Sequence, residues 1–291
     1  MRRPARKKTL KRKRPPATKK KATKKSRVKG DPIGANRIES RDLFVKAVLY
    51  GKSGTGKTTF AGTFPTPLLL IDVRDEGTNS ISDVKDAYYT ELRDFDHLEQ
   101  IYWHLKKGDH DYKTVVIDTV SQLQQMMIES KVKDISKAGH WGSMTKQAWG
   151  DVSSKLKYWL TAFRDLPMHV VFIAQDRTFN IDEDEDVEGV LTPEVGPNLM
   201  PSVAKHMNAD AQVICNTFIK QTIKRIRATT GKNKGKIKET KKTEFGLRVG
   251  PNPVYITKVR KPRTTDIPEV LIDPTFDKLV AATKGESNGT S

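Results

Sequence analysis

Gly51-Lys52-Ser53-Gly54-Thr55-Gly56-Lys57-Thr58 is the stretch on which the reading of this chain turns. It has the form G-x-x-x-x-G-K-[ST], in which glycines let the backbone wrap a phosphate while the loop N–H groups point inward. The pattern means something only between a strand and a helix, and its flanks supply both. Before it, Leu43-Phe44-Val45-Lys46-Ala47-Val48-Leu49-Tyr50 is a short apolar run with β-branched residues, which reads as a buried strand. After it, Lys57-Thr58-Thr59-Phe60-Ala61-Gly62 opens a helix whose N-terminus favours an anion. Gly51 through Thr59 are thus the expected phosphate-binding residues. Lys57 should bridge the β- and γ-phosphates, and the Thr58 hydroxyl should ligate Mg2+.

Working outward, Thr114-Val115-Val116-Ile117 is a second buried strand and ends in Asp118, 61 residues after Lys57. That is the form of a Walker B strand, whose aspartate holds Mg2+. Thr119 follows where many ATPases carry a water-activating glutamate, so a base has to come from another strand end. Ile71-Asp72-Val73-Arg74-Asp75-Glu76-Gly77-Thr78 offers one, closing the strand that begins at Pro67. Glu76 is the candidate base, with Asp75 its rival; the plainer reading of both is a solvated acidic turn. His169 through Gln175 is another apolar strand, and the Gln175 amide at its end is placed to hydrogen-bond a γ-phosphate. Ligands of open α/β sheets bind at this carboxyl edge.

Helical spacing runs over 96–107, roughly 120–135, and 144–165, where Trp149, Val152, Leu156, Trp159 and Phe163 stay in register until Pro167. Strands alternating with helices predict βαβ units and a mainly parallel sheet, an α/β fold. From 176 to 200 a polar, mobile acidic loop is expected, with five consecutive carboxylates at 182–186. Strands at 211–218, 220–228, 243–249 and 254–259 read as antiparallel, with a glycine/lysine hairpin tip at 231–238 inside a basic hairpin spanning 220–249. The domain is expected over 37–282, between a disordered tail at 1–36 and a frayed one at 283–291.

The charge follows the same division. The 291 residues contain 53 Lys+Arg against 35 Asp+Glu, a formal net charge of +18. Residues 1–30 hold 16 basic residues and no acidic one, and 220–263 hold 15 basic and 2 acidic, whereas 31–219 hold 20 basic and 28 acidic. A uniformly basic, histone-like protein is excluded; this is a mildly acidic body with two basic appendages. Such appendages suit a nucleic-acid backbone, and the tail would equally serve nuclear import. One cysteine, Cys215, excludes an internal disulfide and any cysteine-based zinc cluster. No apolar run approaches the ~18 residues of a membrane span, and no apolar segment follows the basic N-terminus as in a secretory signal. A soluble, intracellular protein is expected.

In this order the parts resemble a RecA-type P-loop NTPase core. Glu76-Gly77-Thr78 resembles the Glu-Gly-Thr after the second strand of RecA-like recombinases, and Val171-Phe172-Ile173-Ala174-Gln175 resembles the strand whose terminal glutamine senses the γ-phosphate. From about 40 to 280 the chain is similar to phage-encoded AAA-family ATP-binding proteins with a RecA core, a group that includes the Sak-type single-strand annealing proteins. Residues Pro253 to Arg260, Ile267-Pro268 and Asp273-Pro274-Thr275-Phe276 add to that likeness. The resemblance implies ATP and Mg2+ as cofactors, a homo-oligomer with nucleotide near subunit interfaces, single-stranded DNA as partner, and a bacterial host cytoplasm. By the same resemblance Lys258 and Arg260, alternate residues on a late strand, reach a neighbouring subunit's nucleotide. One departure stands out. Where RecA's DNA-contacting loop follows its sensor glutamine, this chain carries the 182–186 carboxylates, which repel a phosphate backbone. The function expected is therefore a DNA-coupled ATPase in recombination, annealing or replication. A nucleotide-gated scaffold with little turnover is the alternative, and a P-loop kinase of a small acceptor a more distant one.

Overall fold

A computed structural model describes residues 44–74, 77–137, 144–179, 193–227 and 237–285. The tail 1–36, Asp75, Glu76, the acidic run 182–186 and the hairpin tip 231–236 lie outside the described residues.

The chain alternates strand and helix as the apolar runs predict. β1 (Lys46–Tyr50), α1 (Lys57–Ala61) and β2 (Leu68–Asp72) lead through a 3-10 turn (Gly77–Ile81) to β3 (Ala87–Glu91). α2 (Phe95–Lys107), β4 (Thr114–Asp118), α3 (Val120–Lys137), α4 (Lys146–Arg164) and β5 (His169–Ala174) follow. The second half contains β6 (Asp176–Phe179), β7 (Glu194–Pro197), α5 (Pro201–Asp210), β8 (Val213–Arg227), β9 (Ile237–Arg248), β10 (Lys258–Val259), β11 (Val270–Ile272) and α6 (Phe276–Lys284).

Eight strands lie in the order β11-β9-β8-β1-β5-β4-β2-β3, and β10 pairs with the start of β8 as a ninth. The pairs from β8 across to β3 are parallel; β8–β9, β9–β11 and β8–β10 are antiparallel. β2 and β4 are buried at every position, which is why they read as unbroken apolar runs. Alternation along the strands splits the core into two layers. Val48, Leu69, Ile71, Val115 and Ile117 pack with α2, α3, α4 and α5 on one face. Ala47, Leu49, Leu68, Leu70 and Val116 pack with Phe60 of α1 and Leu279 of α6 on the other. Register then aligns the strand ends: Tyr50 faces Ala174 and Asn216 on its two neighbours, and Asp72 faces Asp118.

Several expectations change. The first strand of the C-terminal group runs parallel to β1, because β8 joins the central sheet before it bends away into a hairpin. The segments at 211–218 and 220–228 are one strand, whose second half pairs only with β9. The 176–200 loop is closed at its foot by β6 and β7, paired from Asp176↔Pro197 to Phe179↔Glu194, and α5 starts right after it, with Pro201 at its first turn. Of the strand expected at 254–259 only Lys258 and Val259 are strand. At the C-terminus α6 continues to Lys284 and is capped by Gly285 at φ 78, so residues 283 and 284 are helical rather than frayed. Among the described residues no helix is long and apolar enough to cross a membrane.

Candidate nucleotide site

The loop leaves β1 at Gly51, whose φ is 157° and where a Cβ would meet the Thr217 hydroxyl at 2.5 Å and its carbonyl at 2.6 Å. β8 therefore presses on the start of the loop, and only glycine fits. The Thr55 hydroxyl lies 2.7 Å from the Lys52 carbonyl and 2.6 Å from the Thr217 hydroxyl, pinning the loop's far side to the same strand. Lys52, Ser53 and Gly54 form an exposed crest, and Thr59 is exposed beyond it. Lys57 is only 8% exposed as a residue, and its amine donates to the Gly51 and Lys52 carbonyls at 2.9 Å each and so hangs over the loop's mouth. α1 is five residues long, so its dipole adds less than the expected helix N-terminus would. Attraction for an anion rests on the loop amides and on Lys57.

The metal end is assembled from three elements. The Thr58 hydroxyl donates to Oδ2 of Asp118 at 2.6 Å. Asp118 is 1% exposed and closes β4 on the face that carries α1. Gly77 completes the group: a Cβ there would lie 2.6 Å from Asp118 Oδ2 and 3.3 Å from the Thr58 hydroxyl. The chain just after Glu76 is thus packed directly against the Thr58–Asp118 pair. Among the described residues no cluster of three or more His, Cys, Asp or Glu gathers. A hydroxyl and one carboxylate instead suit Mg2+, which keeps waters and takes the rest of its ligands from phosphate.

Thr119, standing where a catalytic glutamate was sought, is committed elsewhere. It is fully buried, and its hydroxyl accepts from the Gln122 N–H at 3.2 Å, capping α3. Gln175 directly follows β5, and β5 lies between the strands carrying the loop and Asp118. Its backbone is fixed on both sides: its N–H donates to the Ser121 hydroxyl at 3.1 Å, and its carbonyl accepts from Asn198 at 2.8 Å. Lys258 and Arg260 sit at the start of β8, where Lys258 pairs with Ile214 and the Arg260 N–H donates to the Gln212 carbonyl, and there they hold α5. Lys258 donates to the Asn208 and Ala209 carbonyls, and Arg260 to Ala209, occupying the carbonyls at the end of that helix.

Two neighbours of the site were not singled out from the sequence. Asp72 is 6% exposed, in register with Asp118 on the adjacent strand and on the same face, so a second carboxylate adds to the negative field at the metal end. It ends its strand as Asp118 does, and that form was the available signal. Phe245 lies against the back of the loop, 3.3 Å from where a Cβ on Gly56 would be; no sequence signal joins residues 189 apart. Behind the loop Asn216 donates to the Tyr50 carbonyl at 3.3 Å and accepts from Arg248 at 2.7 Å, while the Arg248 guanidinium stacks over Phe218 and Tyr255.

Residues 43–260 match the family described as AAA domain. The chain belongs to that family. The matched span runs from just before β1 to Arg260, so the AAA domain contains the loop, Asp118, Gln175 and the β8–β9 hairpin. Among solved structures, a prototypical ATPase from the type III secretion system of pathogenic bacteria is similar, with 12% identity and a TM-score of 0.36. The match covers 59% of this chain and 50% of that one, so the chain spans half the length of that protein. No curated protein matches the sequence.

Proposed function

We propose that this AAA-domain protein binds and hydrolyses ATP with Mg2+ and couples that cycle to single-stranded DNA, in a phage-type recombination, annealing or replication role. The observation that carries the ATPase part is the contact of Thr58, Asp118 and Gly77 beside the glycine loop. It assembles a phosphate cradle, a metal pair and the chain next to Glu76 at one sheet edge. Mg2+ held by Thr58 and Asp118 would neutralise charge on the β- and γ-phosphates. Lys57 turns its amine from the loop carbonyls to the phosphate oxygens. Glu76, one residue from Gly77, takes a proton from the attacking water, and the Gln175 amide reads the terminal phosphate.

The DNA part is supported by charge and by place. β8 and β9 continue beyond the sheet as a two-stranded arm at the edge where the loop sits, and 220–242 holds ten basic residues against one acidic. With the 16 basic residues of 1–30 it offers a sequence-blind electrostatic surface. Assembly into a homo-oligomer in the cytoplasm belongs to the same reading.

A nucleotide-gated scaffold with little turnover is the second reading, favoured by Thr119 at the position after Asp118. Glu76→Gln separates the two. On the ATPase reading the variant keeps ATP affinity and loses turnover by a hundredfold or so. If turnover persists in Glu76→Gln and falls in Asp75→Asn, the base is Asp75. ATP binding without turnover in the unmodified protein means a scaffold.

A further inference from the structure

A cavity of about 290 Å3 opens on the flank of α1 away from Asp118, walled by Thr55, Gly56, Thr59, Thr217, Phe245 and Pro274. We propose that it receives the nucleoside of the bound nucleotide, with the base stacked on the Phe245 ring; the inference rests on the loop being a nucleoside triphosphate site.

A triphosphate held in the loop has two ends. The Thr58–Asp118 pair marks the end of the terminal phosphate, because a divalent ion held there would neutralise the charge of the β- and γ-phosphates. On that side Gly77 already fills the space, its Cβ position lying 2.6 Å from Asp118 Oδ2. The nucleoside therefore leaves along Gly56 and Thr59, and the cavity begins at those residues.

The wall is suited to a flat apolar ring. Phe245 ends the polar run Lys241-Lys242-Thr243-Glu244 and is 42% exposed, a large apolar side chain without a core of its own. Its ring lies against Gly56. The opposite wall is held rigidly: the Asp273 N–H donates to the Phe245 carbonyl at 2.8 Å, and the Phe276 N–H to the Thr63 hydroxyl at 2.8 Å. The Lys278 amine also donates to the Ile272 and Asp273 carbonyls at 3.0 and 2.8 Å. The turn bearing Pro274 is thus tied both to the strand of Phe245 and to the end of α1, so the slot is formed before a ligand arrives. Stacking on an aromatic face tolerates any base, so nucleoside triphosphates as a class are the ligands. Phe245 is also cross-strand from Ile219, where β8 and β9 leave the sheet. The base would touch the root of the basic arm.

The test compares ATP, GTP and inorganic tripolyphosphate, each with Mg2+, by titration calorimetry on the full chain. Wild type should bind ATP more tightly than tripolyphosphate. Phe245→Ala should lose roughly five- to a hundredfold in affinity for ATP and GTP, with tripolyphosphate unchanged. Phe245→Trp should restore ATP affinity, and its added indole emission should be quenched by ATP but not by tripolyphosphate, a readout that stands even if the alanine variant does not fold. Wild-type ATP binding with unaltered affinity in Phe245→Ala, or F245W emission indifferent to ATP, overturns the subsite alone. Failure of wild type to bind either ATP or tripolyphosphate overturns the nucleotide site itself, and the subsite with it.

Discussion

The hydroxyl of Thr58, in α1, donates a 2.6 Å hydrogen bond to Oδ2 of Asp118 at the end of β4, across 60 residues of sequence and although β5 lies between β4 and the strand that leads into the loop. The glycine loop and the strand-ending carboxylate thus meet at one point, where a divalent cation would be held by the hydroxyl oxygen and the carboxylate in place of their hydrogen bond. Thr58→Ala and Asp118→Asn should each raise the Mg2+ concentration needed for half-maximal ATP turnover at least about tenfold, equivalent to ~1.4 kcal/mol. A Mg2+ titration of turnover checks this; an unchanged requirement in both variants would detach the pair from the metal.

Gly77 makes a sharper case, since its replacement adds one methyl group. In Gly77→Ala the Cβ would sit 2.6 Å from Asp118 Oδ2, so the carboxylate or the turn has to shift. We expect a loss of about 1–3 kcal/mol in stability and a weakened Mg2+ response together. Thermal denaturation alongside the Mg2+ titration reads both, and a variant melting like wild type with normal metal dependence would contradict the packing described.

His169 begins β5 at the other end of the sheet. Its Nδ1 accepts from the Val45 N–H at 3.1 Å, and its ring packs edge-on against Phe44, Phe64 and Phe276. Burial, and then the nearby Lys46 amine, lower its pKa to about 4 from an ordinary 6.5. Between those values the unfolded chain binds the proton and the folded chain does not, so stability is full above pH 6.5 and falls as pH drops toward 4. The melting temperature should decline by a few degrees across that window, and His169→Gln should flatten the decline. An identical pH profile in the variant would assign the acid sensitivity to other groups.

Deleting residues 1–30, or reversing charge in the arm with Lys220→Glu and Lys241→Glu, should weaken single-stranded DNA binding. Each DNA phosphate left without its lysine or arginine lowers the slope of log affinity against log salt by about 0.7. Binding measured at several salt concentrations gives the number of such phosphates directly. An unaltered slope after the deletion would reduce the tail to a solubility device.

The site's frame was legible because buried parallel strands read as unbroken apolar runs, and β1, β2, β4 and β5 each end at residues that mark the site edge. The strands that escaped notice lack that signature. β3 is Ala-Tyr-Tyr-Thr-Glu at the sheet edge, with Tyr88 and Tyr89 more than half exposed, and β11 is three half-buried residues. β8 looked like two strands because its character changes at Asn216, where it stops being a core strand and becomes one side of the arm. α5 did carry a signal, Pro201 ahead of Val203, Ala204 and Met207, in the short stretch between the loop expected to end at 200 and the strand expected from 211. Asp72 looks like Asp118 in sequence, but only strand order puts β2 beside β4. Phe245 and Gly56 meet only through the return of β9 along β8.

The most direct test of the account is ATP turnover by the full chain, with and without single-stranded DNA, beside Lys57→Ala. The account predicts turnover that single-stranded DNA stimulates and that Lys57→Ala abolishes. Turnover of equal rate in Lys57→Ala would contradict the site, and turnover indifferent to DNA would contradict the coupling.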